Sequence, residues 1–199
     1  MQEGAARFAF TLAEKRQLLD IARRAIFAAA RRQPLPEIDL DALTPALREP
    51  AACFVTLHID GLLRGCTGSL VARRPLAEEV SLTAAQTALQ DPRFAPVSPE
   101  EVPLLDIEIS VLTPPEPLAF NSSDELVEKL RPGVDGVILY LGARRATFLP
   151  QVWERVPEPE RFLEMLCQKM GLPGDAWRAG DLRAETYQCI AWSEGDLSD

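Results

Sequence analysis

The stretch 53-CFVTLHIDGLLRGCTG-68 reads as a β-hairpin. Residues 53–59 and 62–66 are rich in apolar and β-branched types, and Asp60-Gly61 between them is a favoured two-residue turn. An ideal two-residue turn pairs Ile59 with Leu62, Leu57 with Arg64 and Val55 with Cys66. Because side chains alternate along a strand, this register puts Arg64 and Cys66 on one face and His58 and Gly65 on the other.

Outward from the hairpin, helices and strands interleave without a βαβ rhythm. Thr11 and Glu14 form a capping box, and Leu18, Ala22, Ala25, Ile26 and Ala29 recur at helical spacing, which predicts a helix over about 12–32. Segment 33–50 is a proline-bearing loop. Pro75 opens a second helix that stops near Asp91-Pro92, and Ser98, Pro99 and Glu101 read as a capped short turn. Leu105, Ile107, Ile109 and Val111 alternate with Asp106, Glu108 and Ser110, the pattern of a strand with one buried face. Ser122 and Glu125 cap a helix to about 131, Asp135-Gly136 precedes a strand over 137–141, and 142-GARR-145 turns the chain into a partner strand ending at 147-TFLP-150. A helix over about 158–170 ends at Gly171, and a last strand runs over 184–192. The fold class this predicts is α+β with antiparallel sheets flanked by helices.

Composition narrows the function. Of 199 residues, 47% are hydrophobic and 26% charged, and no apolar run approaches the ~20 residues of a membrane span. The formal charge is −9, so a phosphate backbone is repelled unless a local basic patch intervenes, and neither a P-loop nor a G-x-G-x-x-G is present. The start, 1-MQEGAARFAF-10, lacks a signal-peptide pattern, and four cysteines without a CxxC pair suit a reducing compartment, so the expected location is the cytoplasm. A structural zinc site needs four Cys/His ligands, usually in closely spaced pairs, and the chain has one histidine, His58; no metal or cofactor is expected. Trp153, Trp177 and Trp192 are scattered singly and make no stacking platform for bases.

In the hairpin register a Cys66–His58 nucleophile is disfavoured, which leaves a neighbouring cation, Arg64, as the means of activating the Cys66 thiol. Gly65 and Gly68 free the backbone for anion contact, with Arg64 as a bidentate partner. Residue type alone favours structural roles for Gly65, Cys66 and Gly68, because free cysteine behaves as a small hydrophobe and strand glycines mark bulges or close packing. Arg64 on an apolar face needs a carboxylate or ligand partner if it is buried. Asp106 and Glu108 share one strand face, so Glu108 is a candidate general acid or base, although a solvated polar face explains the pair more simply. Asp91 and Arg93 in 91-DPRFAP-96 read either as part of an anion site or as a helix stop with a local ion pair, with Phe94 as an anchor.

Five motifs in order resemble the AMMECR-type domain, the AmmeMemoRadiSam system protein A of prokaryotes: 63-LRGCTG-68, 91-DPRF-94, 103-PLLDIEIS-110, the glycines Gly133 and Gly136, and 146-ATFLPQVW-153. The resemblance covers about 8–193 as a single domain of two intertwined, unequal subdomains, followed by an acidic tail over 194–199. It implies an α+β fold with a cleft between the subdomains, and a link to a Memo-type protein and a radical S-adenosylmethionine enzyme. A proposed enzymatic role around the motif carries over to Leu63, Arg64, Gly65, Cys66 and Gly68. Thr67 stands where relatives usually have isoleucine.

Three functional classes follow. In the first, an accessory enzyme or small-anion-binding component uses Arg64 and Cys66. In the second, the motif is structural and the protein is a non-catalytic interaction module. The third, nucleotide or nucleic-acid binding, is disfavoured by the charge.

Overall fold

The structure, a computed structural model, describes residues 9–178 and 181–197. Most of the opening decapeptide, 1–8, and the last two residues of the acidic tail, 198–199, lie outside them. Helix α1 (Leu12–Ala30) starts at the expected capping box: the Thr11 hydroxyl accepts the Glu14 N–H, and the Glu14 carboxylate accepts the Thr11 N–H at 2.8 Å. Segment 33–50 contains a 3-10 turn (Leu40–Ala42) and a short helix α2 (Pro45–Arg48). Strands β1 (Ala52–Ile59) and β2 (Leu62–Gly68) form the hairpin, with Asp60 and Gly61 at φ 51° and 75°. Helix α3 (Leu76–Gln90) follows Pro75, and β3 (Asp106–Leu112) follows a 3-10 turn (Val102–Leu104).

Then come β4 (Glu116–Leu118), α4 (Ser123–Lys129), β5 (Gly136–Leu141), β6 (Arg144–Phe148), α5 (Pro159–Lys169), β7 (Arg183–Tyr187) and β8 (Cys189–Ser193). Two sheets result, ordered β2-β1-β3-β8 and β4-β7-β5-β6. The β1–β2, β1–β3, β4–β7, β5–β6 and β5–β7 pairings are all antiparallel, and the fold is α+β.

The chain divides into two compact units, 1–113 with 190–199, and 114–189. In the first, α1 and α3 cover one face of the sheet. Leu18, Ala22 and Ile26 of α1, Val80 and Ala84 of α3, Val55 and Leu57 of β1, and Ile107 and Ile109 of β3 are fully buried together. Each leucine, isoleucine or valine among them contributes roughly 1.5–3 kcal/mol by leaving water, and each alanine less. In the second unit Leu126, Val137, Leu139, Phe162 and Trp177 build a separate core, and Trp153 stacks on Phe162 at 3.7 Å between ring centroids.

Two expectations are corrected. The run 184–192 is two strands, β7 and β8, in different sheets. Tyr187 pairs with Gly136 in the second sheet, while Trp192 is buried in the core of the first. A continuous strand-like sequence carries no mark of where it changes partner. Glu194, read as the start of an acidic tail, is bound by Arg23 through Nε at 2.6 Å and through Nη2, and accepts the Ile107 N–H at 3.1 Å; Gly195–Leu197 then forms a 3-10 turn. Arg23 also donates to the carbonyls of Val102 and Leu105, which ties α1, the 102–105 turn and the end of the chain together.

Candidate functional site

The β1–β2 hairpin leaves the ideal register at Arg64. Ile59 pairs with Leu62 and His58 with Leu63, as a two-residue turn requires; beyond them Leu57 pairs with Gly65, Thr56 with Cys66 and Val55 with Thr67. Arg64 is therefore the extra residue of a β-bulge, and every side chain after it changes face. Gly65 and Thr67 turn toward α3: the Thr67 and Thr87 hydroxyls lie 2.6 Å apart. Cys66 turns to the face away from the helices, where the Thr56 hydroxyl donates to its Sγ at 3.3 Å.

This overturns the expected pairing of Arg64 with Cys66. The bulge sends the Arg64 side chain to the loop after α3. There its Nε donates to Glu101 Oε1 at 2.8 Å and its Nη2 to Glu101 Oε2 at 3.1 Å, leaving the side chain 16% exposed. Glu101 also accepts the Ser98 N–H at 2.8 Å, and the Arg64 guanidinium, with that N–H, lowers its carboxyl pKa. The carboxylate that a half-buried arginine demanded was thus Glu101, which the sequence offered only as a turn cap.

His58 is corrected as well. Strand alternation places it on the same face as Thr56, hence of Cys66, opposite Leu63 on one side and Asp106 on the other. The thiol's partner is Thr56, which the ideal register had hidden.

The cation beside Cys66 is Arg93. Asp91, buried at the end of α3, accepts the Cys66 N–H at 2.8 Å, and its carboxylate is gripped by Arg93 through Nε at 2.9 Å and Nη2 at 2.7 Å. Arg93 Nη2 donates to the Cys66 carbonyl at 3.0 Å, so the Asp91–Arg93 pair engages both backbone groups of Cys66 on edge strand β2. The Arg93 guanidinium holds Asp91 well below the usual carboxylate range, against its burial, and the two backbone N–H groups add to the effect. Arg93 is raised in turn, first by Asp91 and to a smaller extent by the Cys66 thiol beside it. Its side chain is 54% exposed. Phe94 lies between the two arginines, 5.5 Å from Arg93 and 6.0 Å from Arg64, within cation–π range.

The two glycines serve close packing. A Cβ at Gly68 would stand 2.4 Å from Phe54 Cγ and 2.5 Å from the Cys53 carbonyl oxygen; one at Gly65 would stand 3.1 Å from Thr87 Cγ2. Gly68 is outside the left-handed region, and the next amide, Ser69 N–H, donates to the Cys53 carbonyl, so the expected anion-binding turn of the backbone is not formed there. Thr67, the departure from isoleucine, finds its partner in Thr87.

Glu108 enters the same neighbourhood by register. Thr56 pairs with Cys66 across β2 and with Glu108 across β3, so thiol, hydroxyl and carboxylate form one row over three strands. Ser110 Oγ lies 3.5 Å from Glu108 Oε1, and Asp106 accepts the Gly195 N–H at 3.1 Å. Leu63 is exposed at the hairpin end. The structure therefore unites Cys66, Asp91, Arg93 and the Glu108 position, adds Thr56, and removes Arg64 to a separate pair with Glu101.

An antiparallel α+β protein of this kind has a solved counterpart. The crystal structure of the uncharacterized protein PH0010 from Pyrococcus horikoshii is similar, with a TM-score of 0.80 at 35% identity over 89% of each chain. The chain also resembles a protein of Thermofilum pendens, 39% identical over 89% of this chain and 88% of the other. A protein of Methanothermobacter thermautotrophicus is 40% identical over 91% and 94%. The AMMECR1 family model matches residues 19–192, and the chain belongs to that family.

Proposed function

We propose that the protein is an accessory component that binds a small anionic group at the Cys66 edge of the first sheet, with the Cys66 thiol as its candidate nucleophile. The observation that carries this reading is Arg93: a half-exposed guanidinium, fixed by buried Asp91, stands beside a thiol that already accepts a hydrogen bond from Thr56. Positive charge next to a cysteine favours the thiolate and attracts anions. Glu108, one strand beyond Thr56, is the acid–base candidate of the row. Arg64 and Arg93 are both paired with a carboxylate, but the Arg64 side chain is only 16% exposed against 54% for Arg93, which favours Arg93 over Arg64 as the group that meets a ligand. The resemblance of the motifs to the AmmeMemoRadiSam protein supports a link to a Memo-type protein and a radical S-adenosylmethionine enzyme. Affinity capture of the full chain from its native cells tests that link.

Iodoacetamide labelling across pH, read peptide by peptide, tests the site. Cys66 is expected to react faster than a free thiol, to be slowed by inorganic phosphate, and to lose both properties in Arg93→Ala but not in Arg64→Ala. A Cys66 that reacts no faster than a free thiol, without protection by phosphate, overturns the reading.

One observation favours the second class, a non-catalytic interaction module. Gly65, Gly68 and Arg64 are all accounted for by packing and by Glu101, as a purely structural motif requires. Unchanged partner capture by Cys66→Ser, Arg93→Ala and Glu108→Gln would select that class.

A further inference from the structure

The second unit contains a cavity of about 360 Å³ whose lining includes no residue of the motifs above. That volume falls in the range of small-molecule sites, roughly 300–1,000 Å³. Leu118, Phe120 and Leu182 give it apolar walls, and Tyr140, Arg183 and Glu185 supply polar ones.

The polar groups are arranged by strand register. Tyr140 on β5 stands directly opposite Arg183 on β7, whose guanidinium carbon lies 5.4 Å from the centre of the tyrosine ring. The Tyr140 hydroxyl donates to Glu185 Oε2 at 2.8 Å. Arg183 and Glu185 are two residues apart on one strand face, roughly 6.6 Å between their backbones. Among the described residues no ion pair joins them to each other or to any other group. The other cation at the rim, Lys129, is already engaged by Glu125 at 2.6 Å and by the Ala119 carbonyl at 2.6 Å. The cavity thus presents a guanidinium and a carboxylate that form no ion pair among the described residues, and an apolar wall, with Tyr140 in contact with both. Arg145, opposite Tyr140 on β6, adds positive charge beside the cavity but is not part of its lining.

We propose that this cavity binds a small zwitterion with an apolar body, of the chemical class of a hydrophobic or aromatic α-amino acid. Its carboxylate meets Arg183, its ammonium meets Glu185 beside the Tyr140 hydroxyl, and its side chain covers Leu118, Phe120 and Leu182. A ligand with one charge leaves the opposite wall charge without a partner, which disfavours it relative to the zwitterion. The proposal is independent of the Cys66 site.

The test is a titration of the full chain with L-phenylalanine, 3-phenylpropionate and phenethylamine, followed by amide chemical shifts. Phenylalanine is expected to bind saturably, with shifts confined to 117–121, 138–141 and 182–186, and each single-charge analogue to bind roughly tenfold or more weakly. Arg183→Ala is expected to abolish the preference for phenylalanine over phenethylamine, and Glu185→Gln the preference over phenylpropionate. Absence of saturable phenylalanine binding, or equal binding of all three compounds, overturns the proposal. The comparison on the unaltered chain decides even if a variant fails to fold.

Discussion

The buried carboxylate of Asp91 accepts the backbone N–H of Cys66 at 2.8 Å, joining the end of helix α3 to edge strand β2. Two motifs 25 residues apart in sequence are therefore one structural unit. Asp91→Ala leaves the Cys66 N–H without its acceptor and Arg93 without its counter-ion. A loss of about 2–3 kcal/mol is expected in chemical denaturation. Arg93→Ala leaves the buried Asp91 carboxylate without its cation, so a loss of the same order is expected, offset only as far as water reaches the place of a side chain that is 54% exposed.

The same carboxylate sets an acid limit. Its folded pKa is depressed, chiefly by the Arg93 guanidinium, so its stabilising effect is fully present above the unfolded value of about 3.9 and is lost as pH falls toward the folded one. Between about pH 4 and pH 2 the wild type should lose stability more steeply than Asp91→Asn. Equal slopes in acid denaturation would exclude Asp91 as a contributor.

Glycine at 68 is required by space. Gly68→Ala drives a methyl into Phe54 and the Cys53 carbonyl, and a cost of about 1–3 kcal/mol is expected. Gly65→Ala meets Thr87 at 3.1 and 3.2 Å, tight but nearer contact distance, so its cost should be the smaller of the two. Melting temperatures of the two variants rank them directly.

Arg64 and Glu101 form a bidentate, half-buried pair. In a double-mutant cycle with alanine at each position, a coupling of about 1–2 kcal/mol is expected. A coupling near zero would mean that Arg64 is free to serve a ligand, reversing its assignment.

Thiol accessibility follows burial. Cys53 and Cys167 are fully buried, and burial pushes Cys53 up to about 12 and raises Cys167. Cys66 and Cys189 are partly exposed. Native protein should therefore release two equivalents from a chromogenic disulfide reagent quickly, and all four only after denaturation.

Much of this architecture was legible in the chain. Local signals with a short-range cause were read directly: the Thr11–Glu14 box, the Asp60-Gly61 turn, the alternation of 105–111 and the stop at Gly171. Each depends on residues within one turn of helix or one hairpin, so sequence spacing is also spatial spacing. The site was legible only in its members. An extra residue at Arg64 exchanges the faces of everything after it, and the glycines that signalled a bulge gave no position for it.

By itself the sequence determined the α+β class, the family, and which residues carry reactive groups, because periodicity, caps and motif order are properties of neighbours along the chain. Tertiary structure alone decided that Arg64 belongs to Glu101, that Arg93 and Thr56 belong to Cys66, and that 184–192 divides between two sheets. Those pairings depend on strand register and on loops that return from 25 to 37 residues away, where no local rule fixes the partner.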